Sequence, residues 1–234
     1  MLSYSQPSYQ KQDKGVELNP ANPSYHPVQA PGKNTTAKMA ANLAGSSPYK
    51  LWNFTTDSVI RCVHCHGDYR LATPAAPPAG NARLAPHTSR YRGLLMNNLR
   101  DRVLKPKDEP YAAADFALCY QCHAEAPYVD KSGDPRSDTN FPFHGMHVVD
   151  IKNMGSGGTS IDTPGDGQGN ALCSECHYRL HGQGPNARGN PSGDRLVNFA
   201  PNVTANSNGD LEWDGAQRSC SLTCHGVEHN PKQY

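Results

Sequence analysis

The chain has no run of about 20 apolar residues, so a membrane-crossing helix is excluded. Apolar side chains are scarce throughout: 36% of the 234 residues are hydrophobic, against 21 Gly and 20 Pro. With a mean hydropathy of −0.72, the composition approaches that of loop-rich chains. It is too poor in apolar residues to build a large core from the polypeptide alone. Charge of neither sign dominates, since 22 Lys and Arg oppose 21 Asp and Glu. No basic field is left to attract nucleic acid. Residues Met1–Gln10 lack the basic and apolar blocks of a secretory leader.

Cysteine and histidine are what the chain does have, and they occur together. Cys173-Ser174-Glu175-Cys176-His177 has the Cys-x-x-Cys-His spacing of a c-type haem attachment site. On a short helix, two cysteines three residues apart point to one face, and each can add across a vinyl group of one porphyrin. The histidine lies on that same face and can reach the iron as proximal ligand. Cys62-Val63-His64-Cys65-His66 and Cys119-Tyr120-Gln121-Cys122-His123 repeat the pattern. Cys220-Ser221-Leu222-Thr223-Cys224-His225 varies it, with one more residue between the cysteines. All 8 cysteines are used. Zinc frameworks and disulfides also use paired cysteines, but neither needs a histidine directly after the second one.

Four covalent haems resolve the shortage of apolar side chains, because the porphyrins themselves supply the interior. The expected fold class is mostly irregular chain with short α-helices wrapped around four c-type haems, and little or no β-sheet. Each ferric haem with two neutral imidazoles and two ionised propionates adds roughly −1, which takes the loaded protein to roughly −3. Thioether attachment occurs outside the cytoplasm in prokaryotes, so the numbering is expected to start at or near a mature end.

Two regions are expected. Residues 1–48 are rich in Pro, Asn, Ser, Gln and Tyr without periodicity and read as an extended N-terminal arm, able to dock on a neighbouring subunit. Residues 49–234 read as the haem-bearing domain. Within it, residues 72–86 form a Pro/Ala linker. Leu94, Leu95, Leu99 and Val103 then have helical spacing that ends at Pro106. Residues 111–123 read as a helix. Residues 153–170 form a glycine-rich loop whose Asp162 and Asp166 give only a faint hint of calcium.

His66, His123, His177 and His225 are taken as proximal ligands, leaving His26, His64, His87, His144, His147, His181 and His229. His64, between two cysteines, is expected to project away from the haem they hold. A second imidazole on each iron closes it to substrates and leaves electron transfer as its chemistry. The distal candidates, in order, are His144, His147, His87, His181, His26 and His229. His181 and His229 each follow a proximal histidine by four residues, so neither can reach that same iron from its opposite side.

From Leu118 onward, the second motif, Phe143-His144-Gly145-Met146-His147-Val148, the third motif with His181-Gly182, Leu196-Val197-Asn198-Phe199 and the fourth motif with His229-Asn230-Pro231 occur in order. This resembles a group of multihaem c-type cytochromes of metal-reducing bacteria, including tetrahaem extracellular cytochromes that polymerise into conductive filaments. The resemblance implies bis-histidine haems, His144, His147, His181 and His229 at ligand positions, and a histidine of the N-terminal region completing a haem in the next subunit. Only His26 is placed for that role. The first motif departs from the pattern, having no histidine soon after His66.

The function expected is therefore extracellular or cell-surface electron transfer, not enzymatic catalysis. The partners expected are further copies of the chain in a head-to-tail polymer, other cytochromes, and acceptors such as metal oxides. The alternatives are a monomeric periplasmic shuttle and a multihaem reductase with one five-coordinate iron.

Overall fold

The computed structural model describes residues 13–71, 87–100, 109, 111–129, 139, 141, 143–149, 170–224 and 226–233, with nothing said of the Met146 side chain. The Pro/Ala linker, all but the last residue of the glycine-rich loop with Asp162 and Asp166, and His225 lie outside them.

Residues 13–48 carry regular structure where an extended arm was expected. A short helix α1 (Lys14–Glu17) starts at Asp13, whose carboxylate accepts from the Gly15 N–H. Strand β1 (Ser24–Tyr25) follows. Helix α2 (Ala37–Ala44) is capped by Thr36, whose side chain accepts from the Met39 N–H. Alanine at four of its eight positions favours the helix, and Gly45 ends it. A side chain at Gly45 would meet the Ala124 Cβ at 2.7 Å, so this exit lies tight against the second motif.

The motifs sit on short elements. Cys62–His64 form a single 3-10 turn. Helix α3 (Ala117–Tyr120) carries Cys119. Helices α4 (Ala126–Val129) and α5 (His144–Val148) follow, and α6 (Cys173–Cys176) bears the third motif. The helix expected from Leu94 is not formed over residues 87–100, which show only a turn at Arg92–Leu94. Gly93 and Leu94 there take positive φ values of 66° and 56°, a conformation that stops a right-handed helix.

The expectation of little or no β-sheet is overturned. Strand β2 (Gly182–Gln183) pairs antiparallel with β1, aligning Ser24 with Gln183 and Tyr25 with Gly182. Near the C-terminus, β3 (Glu212–Asp214), β4 (Ser219–Cys224) and β5 (Val227–Gln233) form a three-stranded antiparallel sheet in that order. The fold is mixed α and β with small sheets. Both cysteines of the fourth motif lie on β4 rather than on a helix. On a strand residues i, i+2 and i+4 share a face, so Cys220, Leu222 and Cys224 can all point one way. All three pack in a cluster with Phe199, Val203 and Trp213. The register slips between Cys220 and Leu222, opposite the stretch containing Pro231, which has no N–H to donate.

Two further apolar clusters complete the interior. Phe116, Tyr120, Val148, Val149 and Leu172 join the second motif to the third. Leu51, Trp52 and Met96, with Val63 and Cys122 beside them, join the first to the second.

Candidate functional site

The chain brings its four motifs together in sequence order. Cys65 of the first motif is within electrostatic reach of Cys119 and Cys122 of the second. The Cys173 thiol of the third motif donates a hydrogen bond to the Cys119 sulfur. Cys176 in turn lies near Cys220 of the fourth. None of the eight cysteines is paired in a disulfide. Burial pushes Cys65 up to about 12, with Cys119 and Cys62 adding, and burial alone takes Cys220 to about 12.

The histidines share a second feature. His66 Nδ1 is 2.8 Å from the Gly93 carbonyl, and His177 Nδ1 is 3.0 Å from the Leu196 carbonyl. His123 Nδ1 lies 2.6 Å from Asn42 Oδ1, an oxygen delivered by the buried face of α2. Among the distal candidates, His144 Nδ1 meets Thr139 Oγ1 at 2.8 Å and the Phe141 carbonyl at 3.1 Å. His147 Nδ1 is 2.8 Å from the Phe143 carbonyl. His26 Nδ1 contacts the Leu180 carbonyl, and His181 Nδ1 lies 3.5 Å from Glu17 Oε2. With Nδ1–H donated to oxygen, Nε2 keeps its lone pair. Metal-binding imidazoles are oriented in this way, and the donated bond also makes the ring more basic.

His64 is built differently. Its Nδ1 accepts from the Arg61 N–H at 3.0 Å, and its ring lies 4.7 Å from Trp52 and 5.1 Å from Phe54. His87 is exposed on a bend, and among the described residues it pairs with no other imidazole. His229 also stands apart, because its Nδ1 is buried without a partner.

Burial lowers the His123 imidazole to about 3, helped by His26, Lys50 and His177. It lowers His144 to about 3, with His177 and His147 adding, and His229 to about 4, with His147 and Lys232 adding. His26, His177 and His181 are shifted down for the same leading reason. Neutral imidazole is the form that binds metal.

Imidazole rings also come together in pairs. His66 and His181 have ring centroids 6.0 Å apart with planes 6° from parallel. Imidazole nitrogens bind first-row metals at about 2 Å, so two rings on opposite sides of one metal have centres about 6 Å apart. The spacing of the His66–His181 pair equals that distance, and its planes are nearly parallel. His147 and His229 lie 6.4 Å apart at 45°. Tyr128 stands edge-on to His123 at 6.3 Å and to His144 at 5.1 Å. His26 is within electrostatic reach of His123, His177 and His181. Its backbone N–H donates to the His181 carbonyl of the same chain at 2.9 Å, so the described arm is seated on its own third motif.

Two features of the site could not be read from motif spacing. Glu175, buried at 1% exposure inside the third motif, accepts from the Leu172 N–H at 2.7 Å and from Asn202 Nδ2 at 2.8 Å. Lys50 donates to the Leu43 and Cys122 carbonyls, both at 2.6 Å, and ties α2 to the second motif. A cavity of about 490 Å³ is bordered by Tyr49, Tyr69, Arg90, Met96 and Ala117. Met96 there donates its N–H to the Cys65 carbonyl, and Ala117 opens the helix bearing Cys119. The described residues contain no cluster of three or more His, Cys, Asp or Glu that could hold a free metal ion, and no helix among them is long and apolar enough to cross a membrane. Comparison with protein families, characterised proteins and solved structures returns no match.

Proposed function

We propose that this chain is an electron-transfer protein that holds four c-type haems in a row, each with two histidine ligands. The observation that carries the reading is the common setting of the imidazoles. His66, His123 and His177, and His26, His144, His147 and His181 besides, all present Nδ1 to an oxygen, the setting in which Nε2 keeps its lone pair. Zinc-bound histidines are oriented in the same way, so against a zinc framework or a disulfide scaffold the reading rests on the histidine directly after each cysteine pair, which neither of them needs.

The residues would divide the work as follows. Cys62 and Cys65, Cys119 and Cys122, Cys173 and Cys176, and Cys220 and Cys224 would anchor one group each. His66, His123, His177 and His225 would be the proximal ligands, and His181 the distal partner of His66. Iron cycling between its ferric and ferrous states supplies the electron-carrying chemistry. The polypeptide fixes ring orientation, excludes water and brings the attachment points of successive motifs into contact.

The assembly proposed is a head-to-tail polymer at the cell surface, passing electrons to other cytochromes or mineral acceptors. The seat of His26 on its own chain favours a second reading, a monomeric periplasmic shuttle with the same haems. Size-exclusion chromatography and electron microscopy of the secreted protein separate the two. Electron paramagnetic resonance of the ferric protein tests the chemistry itself. Wholly low-spin signals support paired imidazoles on every iron, while a high-spin signal would place a reductase-type open iron in the chain.

A further inference from the structure

Trp52 is 8% exposed, and its indole Nε1 is buried with no hydrogen-bond partner. An indole N–H can only donate. Leaving such a donor buried and unpaired is costly, and few native groups are left so. The residue is otherwise firmly placed. Its backbone N–H donates to the Gln121 carbonyl at 3.0 Å, its ring rests 4.7 Å from His64, and its apolar cluster includes Val63 and Cys122. Trp52 thus stands where the first two motifs meet.

We infer that the Trp52 indole N–H is held for a haem propionate at the first or second motif. The inference rests on the tetrahaem reading. Loading these motifs would add methyl groups, thioethers and an iron already bound by imidazoles, none of which accepts a strong N–H bond. The propionate carboxylates are the acceptors the group brings. A carboxylate accepts readily from a buried donor and would be charge-assisted in doing so. A competing acceptor in the protein is Gln121 Oε1, which is also buried without a partner while its Nε2 donates to the His64 carbonyl at 3.0 Å.

The test uses the fully loaded, fully reduced protein, which is diamagnetic when all irons are low-spin. With ¹⁵N-tryptophan the chain gives two indole N–H signals, from Trp52 and Trp213. The Trp52 signal is expected downfield and slow to exchange, and it should persist in Gln121→Met. In Trp52→Phe, which keeps an aromatic ring and removes the donor, the propionate bending band of one haem should move in resonance Raman spectra. The midpoint potential of that haem should fall while the other three hold, since an unpaired carboxylate charge favours ferric iron. Loss of the Trp52 signal in Gln121→Met would overturn the inference in favour of the amide. Unchanged Raman bands and potentials in Trp52→Phe, with four haems still attached by mass, would overturn it in favour of water. A chain carrying no haem would instead refute the tetrahaem reading.

Discussion

The imidazoles of His66 and His181 lie nearly parallel, with centroids 6.0 Å apart, although one belongs to the first motif and the other follows the third. On this account a residue beyond the third motif completes the site of the first. Replacing His181 by Ala should leave four haems attached and convert one of them to a high-spin ferric signal. His64→Ala should leave spin state and haem number unchanged, because His64 Nδ1 accepts from the Arg61 N–H and the neutral ring then carries its proton on Nε2. Electron paramagnetic resonance of the two variants checks both outcomes.

Asn42 links the N-terminal region to the second motif through the 2.6 Å contact between its Oδ1 and His123 Nδ1. Asn42→Ala removes the acceptor and leaves a buried imidazole N–H unpaired, a loss of about 1–3 kcal/mol. The ring also becomes less basic, which disfavours ferric iron. Thermal unfolding should therefore occur at lower temperature, and one of the four midpoint potentials should rise in spectroelectrochemical titration.

Gly182 lies where the β1–β2 ribbon crosses α1. A side chain there would come within 2.1 Å of the Glu17 carbonyl oxygen and 2.9 Å of the Tyr25 Cβ. Gly182→Ala should force the ribbon apart at a cost of about 1–3 kcal/mol. The expected readout is faster proteolytic release of the segment before α2, together with altered signals from the haem that His26 or His181 serves.

Glu175 holds the third motif from within, accepting from Leu172 N–H and Asn202 Nδ2 while almost wholly buried. Glu175→Ala leaves both donors without that acceptor. A loss of about 2–4 kcal/mol is expected from unpaired buried groups of this kind. Denaturant titration of the loaded protein measures it, and Glu175→Gln should recover part of the loss by keeping one acceptor.

The parts of the site visible in the sequence are those set by local spacing. Cys173, Cys176 and His177 declare themselves because two anchors and a ligand must share one face, and His64 is set aside because it lies between two anchors. Sequence reading failed where the cause is tertiary. Helix α2 has no broad apolar stripe, since its buried residue is Asn42, chosen to accept from His123 rather than to fill a core. The sheet is not legible in the sequence, because Ser219–Cys224 reads as an attachment motif of the helical kind. Its five-residue span from Cys220 to Cys224 also satisfies the two-residue repeat of a strand. The pairing of His66 with His181 depends on how the first and third motifs pack, which no spacing rule states.

Intact-mass measurement of the mature chain tests the central claim most directly. The account predicts a mass raised by four covalently attached haems, stable to denaturant and chelator, and lowered by one haem when Cys119 and Cys122 are both replaced by Ala. A chain with its cysteines unmodified, or one whose added mass is stripped by a chelator, would contradict it.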